Sequence, residues 1–296
     1  MSTQTMIIEE RARKIGNFWV GRLLPFREKR MIGPFIYIDH MGPVELKAGQ
    51  HFDVPPHPHI GLSTLTYLIE GHVMHRDSLG TVQEIAPGSV NWMTAGKGIV
   101  HSERTPDHLR GQAMRMHGLQ IWVALPAALE DMQPAFSHIP AEDIPAWEEG
   151  GLSFRLVAGK LAGYESKVPV HSPLYMLEIR AEREAEVHLA DRLYGEAGLY
   201  VLSGCVHTEG EDFGEKLLLV TDDARLCSFR MTAQTVVYIF GGEPFPEHRY
   251  IDWNFVSSIK SKIDQARQAW ATGDFHSIAG ETEQIAMPAR PAGWKW

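Results

Sequence analysis

Short apolar runs broken by Gly and Pro set the pattern of this chain, and no long helical period appears until near the C-terminus. Phe35-Ile36-Tyr37-Ile38 reads as a strand ended by Asp39-His40-Met41-Gly42-Pro43. Ser63 to Glu70 reads as another, turned by Gly71 and continued by His72 to Arg76, and Pro87-Gly88 turns into Val90-Asn91-Trp92-Met93. Leu119, Ile121, Val123 and Leu125 alternate along one face of a further strand. From Pro126 to Trp147 the texture changes: Pro126, Pro134, Pro140 and Pro145 recur without strand patterning, which predicts a linker or draped crossover. A second β-rich stretch is expected over 154–157, 174–180, 185–189, 198–202, 216–220, 224–229 and 235–240. The halves match in strand density and length, which predicts an all-β chain with a duplicated barrel. The exception is Asp252 to Trp270, where Phe255, Ile259, Ile263, Ala266 and Trp270 form one apolar helical stripe, with Gly273 as its stop. The expected division is a first domain over 1–130, a linker over 131–147, and a second domain over 148–296. That second domain carries the helix and a surface tail from Met287 to Trp296.

Composition narrows the function classes. The 296 residues suffice for two compact domains, and 44% hydrophobic with 22% charged residues is ordinary for a globular protein. Lys plus Arg is 28 against 37 for Asp plus Glu, a net charge of −9 that argues against a nucleic-acid or anionic-membrane surface. No apolar run is long enough for a transmembrane helix, and Met1 to Thr5 lacks the start of a secretory signal. Cys205 and Cys227 are too few for a disulfide scaffold and are read as two buried core thiols. The expected location is a reducing cytoplasm.

Two short segments carry the candidate chemistry. Pro56-His57-Pro58-His59 holds two imidazoles at i, i+2, and Gly98-Ile99-Val100-His101-Ser102-Glu103 holds an imidazole and a carboxylate at the same spacing. On a strand that spacing puts both members on one face. Two such strands facing across a barrel would converge three imidazoles and a carboxylate on one point, which is a metal site. Ser102 then points away from both neighbours, so a serine triad fails on geometry. Gly96-x-Gly98 has His101 where a third dinucleotide-loop glycine would stand. His72 and His75 lie three apart and cannot share a face; His75 reads as a hydrogen-bonded turn residue before Arg76-Asp77. His40 reads as a satisfied structural histidine or as outer support for the site.

The segment His57-Pro58-His59-x4-Thr64-x6-Gly71 resembles the first motif of the cupin superfamily, with Thr64 where a glutamate is usual. Gly98-Ile99-Val100-His101 resembles the core of the second, and Glu103 restores the carboxylate from the other strand. That relocation is a property of pirins. Met74-His75-Arg76-Asp77-Ser78-Leu79-Gly80, Asn91-Trp92-Met93-Thr94-Ala95-Gly96, Gly33-Pro34-Phe35 and Gly241-Gly242-Glu243-Pro244-Phe245 also resemble the pirin pattern. The similarity runs from about Arg22 to Trp270.

The resemblance implies two cupin-type β-barrel (jelly-roll) domains with a C-terminal α-helix, and a metal held in the first barrel by His57, His59, His101 and Glu103. In the second barrel the aligned positions are Ala190, Arg192 and Ala197, which predicts a metal-free, structural domain. Nitrogen and oxygen donors without thiolate suit a divalent transition metal: Fe(II) first, with Mn, Ni, Cu, Co or Zn accepted by the same donors. The resemblance further implies a quercetinase-type flavonol 2,3-dioxygenase, an oxidoreductase whose partners are a flavonol and dioxygen. Such an enzyme opens the flavonol ring and releases carbon monoxide, with Glu103 as the catalytic base. Trp92, Met93 and Phe52 are read as wall candidates or as ordinary core. The alternative within the same resemblance is a redox-sensing regulator that binds a transcription factor or a metabolic enzyme.

Overall fold

The computed structural model describes residues 6–15, 18–189, 192–221, 228–291 and 293–294. Among these the chain is mainly β-strand, with one α-helix, Lys260–Thr272, and three short 3-10 turns. Contacts divide it into two compact units. One gathers the described residues up to Arg13 with Gly21–His40 and Ile139–Phe245, and the other gathers Lys14–Val20, Met41–His138 and Pro246–Trp296. The units are therefore interleaved along the chain, where the sequence reading expects two consecutive blocks.

The unit containing Met41–His138 holds a four-stranded antiparallel sheet in the order Asp53–His59, Ile99–Arg104, Val73–Asp77, Val82–Ile85. The facing sheet has seven strands, its order starting Ala135–Ile139, Val90–Thr94, Leu62–Glu70, Met114–Ala124. Alternation fixes the inner face of this second sheet. Thr64 pairs with Met93 and Trp122, and Thr66 with Asn91 and Gln120, so these six side chains share one face. Leu65, Trp92 and Ile121 take the other.

In the unit containing Ile139–Phe245, an eight-stranded sheet runs Met6–Glu9, Leu217–Thr221, Glu196–Ser203, Thr235–Gly242, Leu174–Ala181, Leu152–Leu161, Ala146–Glu149, with Tyr164–Glu165 beside Leu152–Leu161. A four-stranded sheet, Ala185–His188, Ser228–Met231, Cys205–Thr208, Glu211–Gly214, completes it. Leu177, Ile179, Leu199, Val201, Val237 and Ile239 recur at period two and fill the core.

Several elements differ from the sequence reading. The stretch read as linker forms the strands Ala135–Ile139 and Ala146–Glu149, because each proline there precedes a strand or 3-10 turn instead of interrupting one. The first strand of the apolar pattern runs on through Phe35–Leu46. Asp39 and His40 stay inside it, buried, because both are partnered. Asp39 accepts two hydrogen bonds of 2.8 Å from Arg22, and His40 Nδ1 lies 2.6 Å from Glu10 Oε1.

The helix is shorter than expected. Phe255 belongs to the strand Phe255–Ser257 and Ile259 is an exposed N-cap, so only Ile263, Ala266 and Trp270 form the buried stripe. They pack against Ile60, Val100 and Phe255, so the helix belongs to the unit of the His-bearing strands. Gly273 ends it at φ 78°, its N–H reaching the carbonyls of Ala269 and Trp270. Cys205 is half-buried on a strand and not in the core; Cys227 lies outside the described residues.

Candidate metal centre

Asp53–His59 is the edge strand of its sheet, which is why it can carry prolines. Pro56 and Pro58 alternate with the histidines and turn their backbone away from the neighbouring strand, so their missing N–H groups cost no ladder bond. The carbonyl of Pro56 is instead met by the N–H of Ile285 at 2.9 Å, and the C-terminal segment covers the edge. His57 and His59 face inward at the end of the strand, both buried.

Ile99–Arg104 lies directly beside this strand, with His101 opposite His57 and His59 opposite Ile99. The three imidazoles therefore meet as cross-strand neighbours of one sheet, not across the barrel as the spacing alone implies. The chain reaches this strand through a tight turn at Gly96, φ 52°, where any Cβ would overlap the carbonyl of Met132. Gly98 N–H closes the turn on Ala95 O at 2.9 Å.

One nitrogen from each of His57, His59 and His101 lies within 4.8 Å of the others. His57 Nδ1 donates to Pro55 O at 2.9 Å, which leaves Nε2 bare. Neither nitrogen of His59 nor Nε2 of His101 has a hydrogen-bond partner, although the Asn254 backbone approaches His59. Burial pushes all three imidazoles toward the neutral form: His57 falls to about 4, His59 and His101 well below their usual value. Buried, unpaired and uncharged lone pairs converging on one point are otherwise costly, and they fit a divalent ion. The three-histidine cluster could thus hold a metal.

Glu103 is buried on the same strand, outside the tight imidazole group. The pairing with the edge strand slips between His101 and Glu103, so Glu103 sits opposite Val54. Burial raises its carboxyl to about 7, against a hydrogen bond from Thr66 Oγ1 at 3.4 Å. Thr66 also lies 2.9 Å from Gln120 Oε1, and its single proton serves one of the two acceptors at a time.

The remaining wall differs from the sequence reading. Trp122 meets His59 edge-on, with centroids 5.0 Å apart, and Phe136 stacks on His75 at 4.5 Å. Met93 shares the inner face, whereas Trp92 points away and Phe52 packs into a core with Phe18 and Val54. His75 is no turn residue. It lies buried in Val73–Asp77, with Nε2 3.2 Å from Asp77 Oδ2 and Nδ1 3.4 Å from His101 Nδ1. The sequence signal was its i, i+2 spacing to Asp77 on a strand, masked by the spacing to His72.

On the outward face of Ile99–Arg104, Ser102 and Arg104 are both bound by Glu281. Ser102 Oγ donates at 2.8 Å, and Arg104 forms a two-pronged pair at 2.8 and 2.6 Å. In the other unit, Arg192 pairs with Glu149 at the surface and Ala197 is buried; Ala190 lies outside the described residues.

Two sheets per unit, with a three-histidine cluster on the inner face of one, define a two-domain cupin. Residues 17–123 match the Pirin family model, and residues 176–276 match the model of the Pirin C-terminal cupin domain. A pirin-like protein of Caulobacter vibrioides is 45% identical over 90% of this chain and 93% of its own. The chain belongs to the pirin family. The crystal structure of a quercetin 2,3-dioxygenase from Acinetobacter baumannii superposes with a TM-score of 0.89 at 35% identity, covering 98% of this chain and 97% of that one. Bacterial pirin YhhW of Escherichia coli, solved in complex with nickel(II), shares the fold at a TM-score of 0.61 and 19% identity, over 81% of this chain and all of its own. Among the described residues no helix is long and apolar enough to cross a membrane.

Proposed function

We propose that this protein is a metal-dependent dioxygenase of quercetinase type, opening a flavonol ring with dioxygen and releasing carbon monoxide. The observation that carries the reading is the buried group of three neutral imidazoles, with the buried carboxyl of Glu103 on the same strand as His101. Its 35% identity to a quercetin 2,3-dioxygenase over nearly the whole chain supports the same reading. His57, His59 and His101 would hold the ion, with Glu103 as the carboxylate of the set and Fe(II) as the preferred metal. A divalent ion held there would supply positive charge that makes a nearby hydroxyl more acidic. Glu103, the buried carboxyl two residues from His101 on the same strand, would accept the flavonol 3-hydroxyl proton. Thr66 steadies the carboxylate, and Trp122, edge-on to His59, would flank the planar ring.

The test is anaerobic loading with Fe(II), and separately with Mn, Ni, Cu, Co and Zn, followed by quercetin in air. Loss of flavonol absorbance with carbon monoxide release is the expected outcome; no turnover with any ion overturns the proposal. Glu103→Gln, loaded to the same metal content, should lose at least about 100-fold in rate. A full rate in that variant removes Glu103 from the base role.

A further inference from the structure

Behind the three imidazoles lies a second buried line of polar groups that the proposed chemistry does not use. Val73–Asp77 is the other neighbour of Ile99–Arg104, with Asp77 opposite His101 and His75 opposite Glu103. Asp77 Oδ1 accepts the backbone N–H groups of Leu79 at 2.9 Å and Thr81 at 3.0 Å. Its Oδ2 faces His75 Nε2 at 3.2 Å, and His75 Nδ1 faces His101 Nδ1 at 3.4 Å. Phe136, stacked on the His75 ring at an interplanar angle of 25°, fixes its plane.

Proton accounting along this line has one consistent solution for neutral rings. Two amides fill Oδ1, and a carboxylate oxygen cannot donate, so His75 Nε2 must carry the proton. A neutral imidazole has one N–H, which leaves His75 Nδ1 a bare acceptor. His101 Nδ1 must then donate to it, and His101 Nε2 keeps its lone pair. That nitrogen has no partner, and one nitrogen of this ring lies within 4.8 Å of one from each of the other two imidazoles.

We infer that His75 is a positioning residue of the metal centre: Asp77 and His75 together lock His101 in the tautomer that offers Nε2 to the ion. His57 is oriented more simply, by one backbone carbonyl. His101 is oriented by a side chain that is itself oriented. The inference rests on the metal reading of the site, and it can be tested apart from it.

Metal-free protein labelled with 15N at histidine reports each ring's tautomer by NMR. His75 should be Nε2–H and His101 Nδ1–H; an Nε2–H tautomer at His101 overturns the relay. Asp77→Asn keeps the shape of the side chain. The two amides hold its carbonyl oxygen, so its NH2 faces His75 Nε2 and the whole line reverses. His101 should then become Nε2–H, with cobalt(II) affinity, measured by chelator competition, falling 10- to 100-fold and the cobalt d–d bands shifting. His75→Asn retains an acceptor near the Nδ1 position and should recover most of the affinity that His75→Phe loses. Wild-type affinity and spectrum in both Asp77→Asn and His75→Phe overturn the positioning role. If wild-type protein takes up no cobalt, the metal reading fails, and the tautomers alone then judge the relay.

Discussion

Glu103 is the residue at which stability and chemistry pull in opposite directions. Its carboxyl is raised from 4.5 to about 7 by burial, so the metal-free fold favours the protonated form. A raised acid contributes stability that is complete below the unfolded pKa and is lost as pH climbs through the folded one. Glu103→Gln in the metal-free protein should therefore be more stable than wild type at pH 8, by about 3 kcal/mol for a full shift of that size. Near pH 4 the two should coincide, and urea unfolding at both pH values checks the sign. The histidines run the other way. Their depressed values mean that stability present above 6.5 is lost as pH falls, toward about 4 in the case of His57.

Among the elements, the C-terminal segment acts on the strands it covers from outside. Glu281 grips Ser102 and Arg104, the two side chains interleaved with His101 and Glu103, while Ile285 pairs with Pro56 next to His57. Glu281→Ala should cost about 1–3 kcal/mol in thermal unfolding, because it strands Arg104 without its main carboxylate. The same variant should weaken cobalt binding while leaving the imidazoles intact. Gly96→Ala should be more damaging than Gly49→Ala: both sit at positive φ, but a Cβ at Gly96 meets the carbonyl of Met132 and one at Gly49 meets open space, and comparative melting measures this. These contrasts explain what could be read in advance. The pairs His57/His59 and His101/Glu103 were legible because strand periodicity is local and each pair shares one strand. His75, Asp77 and Trp122 were not, because their places depend on which strands lie side by side. Glu281 was out of reach altogether, since nothing in its own neighbourhood points to Arg104. Phe255 and Ile259 misled for a related reason: their spacing satisfies a helix, but the hairpin Tyr250–Asp252 with Phe255–Ser257 takes the first of them.

At the scale of the molecule, a bound ion should stabilise the native state by mass action. Saturating to one hundred times the dissociation constant adds about 2.7 kcal/mol, so chelation should lower the melting temperature and cobalt should restore it. The interleaved path of the chain has a further consequence, which concerns time. Met6–Glu9 pairs with Leu217–Thr221, and the strand bearing His57 finds its edge partner only at Ile285. Neither pairing can form while the corresponding downstream segment is still inside the ribosome. Loops of that length make the search slow, and half-made sheets keep open edges in the meantime. The histidine-bearing sheet thus reaches its covered form only once Ile285 has left the ribosome, long after His57 itself has been made.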